Sequence, residues 1–171
     1  MSLTIGVDPG QNGAVATLDS EGHLAIWDMK NAYSKITGFN SLDPIKFNMV
    51  IDSAIPGDCD QVEVFCEESL LVHGNGIKTA RSVFDSRGVL RCVLMLRGLD
   101  VQFVPPKTWK KHFGLLKADK SASVQKAIEI FPMYEDFFRK QYRGRTIDLD
   151  GRAEAALVAY FGQQQTNLYK L

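Results

Sequence analysis

Two turn signals set the first constraint on the fold. DPG (8–10) and DSEG (19–22) separate three short apolar runs, 3–7, 13–18 and 23–29. Connectors this short join antiparallel neighbours, because a parallel return needs a crossover of about a dozen residues. The chain therefore opens as a meander of three strands.

Downstream the pattern changes to alternating strands and helices. Residues 31–41 read as a polar loop. SLDPIKFNMVIDSAI (41–55) reads as a helix, with Ser41 or Asp43 capping and Pro44 in its first turn. VEVFCEE (62–68) alternates and is rich in β-branched and aromatic residues, which predicts a central strand. SLLVHGNG (69–76) reads as a loop. Residues 77–98 have helical apolar spacing, Gly98 as a stop, and Gly88 as a point of expected close packing. DVQFVP (100–105) reads as a strand, followed by helices over 105–114 and 118–132. The aromatic and basic stretch 133–145 has no clear assignment, and an alanine-rich helix begins near Asp150. The order implies an α/β fold with a mixed sheet and helices on its faces.

Length and composition suit one domain spanning 1–171 with a substantial core. No apolar run approaches the roughly 20 residues that span a bilayer, and no signal peptide is apparent. Cys59, Cys66 and Cys92 are odd in number and widely spaced, which suits free thiols in a reducing, cytoplasmic compartment. The chain is neutral, yet residues 101–145 hold ten basic and four acidic side chains. The remainder is correspondingly acidic, a distribution that suits either a polyanion partner on one side or solvated lysines on helix surfaces.

Acidic residues interrupt apolar runs at Asp8, at Glu67 and, on the last helix, at Asp150 and Glu154. Residues four apart share a helix face. A desolvated carboxylate needs a partner, which an arginine, a lysine or a hard divalent cation supplies. Taken singly, Asp8 is equally a turn former, and a lone Asp150 reads first as an N-cap. Taken together, the four suit two cations that clamp a phosphodiester for attack by water. Lys107, Lys110, Lys111, Lys117 and Lys120 cluster around Trp109 and His112, and cations of this kind bind phosphates. Trp109 itself reads as core or as a DNA contact, and His112 as a surface or packing residue.

IGVDPGQNGAVA, VFCEES, VPPKTWKK…ADKSASV and DGRAEAALVA, in that order, resemble the RuvC-type Holliday junction resolvases, in particular their phage and prophage branch. The resemblance covers residues 4–162 and implies a ribonuclease-H-like fold with a five-stranded mixed sheet, its first three strands antiparallel and helices on both faces. It implies Mg²⁺ or Mn²⁺, two ions per site, held by Asp8, Glu67, Asp150 and Glu154. The family has two aspartates three apart on the last helix where this chain has Asp150 and Glu154 four apart, so Asp148 is a further contender. Lys110 and Lys120 match family lysines near the scissile phosphate. Leu70, Leu71 and His73 fall in the loop that inserts at a junction centre. The partners implied are branched, four-way DNA and a second copy of the chain in a homodimer, without membrane or nucleotide cofactor, in a bacterial or phage-infected cell.

Two alternatives remain at this point. One is a catalytically inactive DNA-binding or scaffold module of the same fold. The other is an actin-like ATPase or kinase fragment, disfavoured by the short chain and the lack of a second phosphate-binding glycine turn.

Overall fold

A computed structural model describes residues 1–36, 39–57, 59–68 and 76–169. Its central sheet is built from β1 (Ser2–Val7), β2 (Ala14–Asp19) and β3 (Leu24–Asp28) with two later strands. A 3-10 turn at Met29–Ala32 leads to a hairpin of β4 (Tyr33–Ile36) and β5 (Phe39–Leu42), and then to helix α1 (Pro44–Ala54). β6 (Gln61–Glu67), α2 (Ile77–Leu96) and β7 (Val101–Val104) complete the alternating part. Helices α3 (Pro106–His112) and α4 (Lys120–Ile130) follow. A 3-10 turn at Pro132–Tyr134, the short α5 (Glu135–Phe138), a second hairpin of β8 (Arg139–Tyr142) and β9 (Arg145–Asp148), and the long α6 (Asp150–Tyr169) end the chain.

The sheet order is β3-β2-β1-β6-β7. The first three strands pair antiparallel, as their short connectors require, while β6 and β7 add in parallel. The expected five-stranded mixed sheet is thus present. Strand side chains alternate between its two faces. Leu3, Ile5, Val7, Val15, Val64 and Cys66 pack under α1 and α2 with Phe47, Ile51, Leu90 and Leu94. Ala14, Ala16, Leu18 and Phe65 face the other way, against α6 and the aromatic core of Trp109, Phe131 and Phe138. Helices therefore cover both faces.

Local signals explain the helix starts. Asp43 accepts hydrogen bonds from the backbone N–H of Ile45 and Lys46, and Pro44 opens α1. Asp119 caps α4 by accepting from Ala122.

Two expectations need correction, and one unassigned stretch gains a structure. Residues 31–41 are not a loop, because Tyr33–Ile36 and Phe39–Leu42 form an antiparallel hairpin. A tertiary bond secures it, since the Tyr33 hydroxyl donates to the Pro9 carbonyl at 2.7 Å. The unassigned stretch 133–145 holds a helical turn and the greater part of the second hairpin. Gly88 is not a close-packing point, because a Cβ there would meet nothing within 4 Å.

Small residues decide how α6 sits. Gly151, Ala155, Ala159 and Gly162 line the side of the helix that lies on the sheet. A Cβ on Gly6 would overlap backbone atoms of Ala155 and Ala159, and one on Gly162 would overlap the Phe65 ring. A Cβ on Gly151 would overlap the Asn12 carbonyl oxygen. The helix thus rests directly on β1 and on the turn that follows it.

Candidate active site

The parallel strands β1 and β6 run in register, with Val7 opposite Cys66. Asp8 and Glu67 follow at the same sheet end. Period two places Asp8 on the face of Gly6 and Glu67 on the face of Phe65, which is the face that α6 covers. The contacts of Gly6 and Gly151 seat the start of α6, with Asp150 and Glu154, over that end. The turn is equally tight, because a Cβ on Gly13 would overlap Asp8 itself.

Each carboxylate is held differently. Asp8 Oδ1 accepts from the Gly10 N–H at 3.1 Å. Glu67 Oε2 accepts from the Trp109 indole N–H at 2.8 Å. Glu154 Oε1 meets Lys110 Nζ at 2.9 Å and accepts from the Ser123 hydroxyl at 3.2 Å. Lys110 Nζ also lies 4.9 Å from the centre of the Trp109 ring. Asp150 is the first residue of α6.

The electrostatics follow from crowding and burial. Burial pushes the Asp8 carboxyl up to about 6, the Gly10 hydrogen bond opposes this, and the charges of Glu154 and Asp150 add to it. Burial likewise pushes Glu67 up to about 7, with Asp8 and Glu154 adding, while Trp109 and Lys110 pull the other way. The buried Cys66 thiol beside them is pushed well above its ordinary value by the same desolvation. It stays protonated and is no candidate nucleophile.

The four sequence-predicted acids therefore share one sheet end and one field. As they stand, no three or more His, Cys, Asp or Glu among the described residues are close enough to share a metal ion. The donor chemistry nonetheless fits a hard cation. All donors are carboxylate oxygens, two of them are held above the ordinary range by burial and mutual repulsion, and Lys110 neutralises only part of the charge.

The other predicted residues divide. Asp148 ends β9 and is paired with Arg139 at 3.0 Å across the base of the hairpin, so its charge is already met. Lys107, Lys111 and Lys117 are exposed around α3, and Lys120 begins α4. Leu70, Leu71 and His73 lie outside the described residues. Trp109 is fully buried in the core and also serves the site through its N–H. His112 is exposed and bonds Gln164 at 2.6 Å.

Sequence reasoning missed four supports. They are the Trp109 donor, the Ser123 hydroxyl, the glycines at 6, 13 and 151, and Arg152. Arg152 grips Asp28 through Nε and Nη2 at 2.6 and 3.0 Å, which ties the first turn of α6 to the end of β3. The glycine signal was present in the sequence, as Gly6 and Gly13 flank Asp8 and Gly151 follows Asp150.

No protein-family model and no curated protein sequence matches the chain. Solved structures do. One is "T. thermophilus RuvC in complex with Holliday junction substrate", with a TM-score of 0.57 and 12% identity over 97% of this chain and 96% of that one. Another is "Thermus thermophilus RuvC structure", with a TM-score of 0.57 and 16% identity over 96% of each chain. The chain thus has the RuvC-like, ribonuclease-H-like fold across nearly its whole length.

Proposed function

We propose that the chain is a metal-dependent, structure-selective DNA endonuclease that resolves four-way junctions. The observation that carries this reading is the convergence of Asp8, Glu67, Asp150 and Glu154 at one end of a RuvC-like sheet. One of the similar structures, T. thermophilus RuvC, is a complex with a Holliday junction substrate, which supports branched DNA as the substrate.

Asp8, Glu67, Asp150 and Glu154 would hold Mg²⁺ or Mn²⁺. When bound, such ions polarise a phosphodiester and lower the pKa of a coordinated water. The chain's own groups do the rest. Trp109 holds Glu67 in one orientation, and Gly10 does the same for Asp8. Lys110 stands where it can balance charge on a phosphate, and Lys120 opens the neighbouring helix. Lys107, Lys111 and Lys117 supply exposed cations for flanking phosphates, so binding weakens as salt rises. A homodimer would present two such sites to paired strands. Exposed Phe84, Met95 and Leu96 on α2 support this with apolar surface.

One observation favours a second reading, an inactive DNA-binding module. Lys110 already occupies Glu154, and the described carboxylates do not close around one point. A cleavage panel decides between the two. Four-way, three-way, flap and linear DNA are incubated with Mg²⁺ or with EDTA. Paired symmetric nicks in the four-way junction, lost in Asp8→Asn, are expected. Equal cutting of every substrate would sink the junction selectivity, wild-type cutting by Asp8→Asn would sink the role of the carboxylate site, and metal binding without any cutting would establish the second reading.

A further inference from the structure

The β8–β9 hairpin is a surface that the site does not use. Its strands pair Arg139 with Asp148, Lys140 with Ile147, Gln141 with Thr146 and Tyr142 with Arg145. Every residue from Lys140 to Ile147 is exposed. The ribbon forms its own two-stranded sheet, apart from the central one. An isolated ribbon of this size has little stability of its own, so it depends on its root. The root is well made, with Arg139 bonded to Asp148 and the Leu149 N–H donating to the Phe138 carbonyl at 2.8 Å.

The outer part of the ribbon is cationic and aromatic. Among the described residues, no carboxylate pairs with Lys140, Arg143 or Arg145. Arg143 lies over the Tyr142 ring, 5.2 Å from its centre. The tip is Arg143-Gly144, with φ of 49° and 74°, the left-handed pair of a tight hairpin turn. The first of these positions favours asparagine or glycine, because a Cβ crowds the backbone there. The chain places an arginine at the tip in spite of that preference.

The ribbon also stands beside the site. β9 ends at Asp148, two residues before Asp150. Four residues of strand reach roughly 13 Å. The tip is therefore within about half a turn of duplex from the carboxylates. A two-stranded ribbon fits the width of a major groove, and unpaired arginines suit phosphates.

We propose that the β8–β9 ribbon grips a duplex arm of the DNA substrate, with Lys140, Arg143 and Arg145 on the phosphates and Tyr142 against the groove wall. The inference rests on the reading of the chain as a DNA nuclease and adds a second contact, independent of the lysines around α3. It fixes the approach of one arm to the carboxylates.

Binding is measured by fluorescence anisotropy with a labelled four-way junction and with a linear duplex of the same arm sequence, in EDTA over a series of salt concentrations. Lys140→Gln/Arg143→Gln/Arg145→Gln should bind both DNAs at least tenfold more weakly. Its slope of log affinity on log salt should be shallower by about 2 to 3, at roughly 0.9 per lost phosphate contact. Arg143→Asn should unfold no earlier than wild type and still bind more weakly, which separates the contact from folding. Arg143→Lys should retain most of the affinity. If wild type binds and the triple variant matches it in affinity and slope, the ribbon is not a DNA contact and the nuclease reading stands. If wild type binds neither DNA at low salt, both fall.

Discussion

Asp8→Asn separates the electrostatics of the site from its chemistry. Without metal, Asp8 is held at about 6 and Glu67 at about 7, against ordinary values of 3.8 and 4.5. A carboxyl whose pKa is higher in the folded state favours folding while it is protonated. That contribution is full below the unfolded pKa near 4 and is lost as pH rises through 6 to 7. For Asp8 the displacement is about two units, so ionisation costs the fold on the order of 3 kcal/mol at about 1.4 kcal/mol per unit. Asparagine removes the charge and keeps an oxygen for the Gly10 N–H. The variant should therefore gain about 1–3 kcal/mol at pH 8 in EDTA and close to nothing at pH 4. At about 2–4 °C per kcal/mol the midpoint rises by roughly 2–12 °C. Thermal unfolding followed by circular dichroism at both pH values gives the answer. Adding Mg²⁺ should raise the wild-type midpoint and leave the variant unchanged. Destabilisation of Asp8→Asn at pH 8, or an equal change at both pH values, would refute the reasoning.

Three further outcomes follow from the same contacts. Gly151→Ala forces a Cβ into the Asn12 carbonyl, so the start of α6 must lift; a loss of at least about 2 kcal/mol in denaturant unfolding is expected, together with loss of junction cleavage. Trp109→Phe keeps the ring in the core and removes the donor to Glu67; cleavage at fixed Mg²⁺ should fall roughly tenfold, and calorimetry should show weaker Mg²⁺ binding, while Trp27→Phe, at a residue of β3 that packs with the core under α1 and α2, leaves both unchanged. The Arg152 hydrogen bonds hold the Asp28 carboxyl below its ordinary value, so this pair stabilises above pH 4 and is lost as pH falls; Asp28→Asn should cost about 1 kcal/mol at pH 7, by chemical denaturation, and little near pH 3.

Much of this arrangement is legible along the chain because it depends on short-range rules. Alternation assigns Gly6 with Asp8 and Phe65 with Glu67 to one face without any knowledge of the partner helix. The connector lengths set the antiparallel meander, and Asp43 and Asp119 announce their helices. The parts that escaped depend on distant partners. Tyr33 looks like loop material until its hydroxyl is seen on Pro9, 24 residues away. Trp109 reads only as core or as a DNA contact, because its polar partner is 42 positions distant. The β8–β9 ribbon is nearly all exposed, so it lacks the hydrophobic alternation that betrays a strand. Gly88 misled in the opposite direction, since a glycine within an apolar helix usually has a packing reason and this one faces open space.

The small residues of α6 account for what the carboxylates alone do not. Four acids repel one another, and two of them lie in surroundings that disfavour charge. A helix with ordinary side chains at 151, 155, 159 and 162 would ride higher on the sheet and relieve that repulsion. Here backbone meets backbone at Gly6 and Gly151, the helix sits as low as it can, and the Arg152–Asp28 pair pins its first turn. The buried aromatic and aliphatic packing on this face of the sheet holds the helix down against the repulsion. The strain of crowded charge is thus set by close packing, and replacing these glycines would relax it by moving Asp150 and Glu154 away from Asp8.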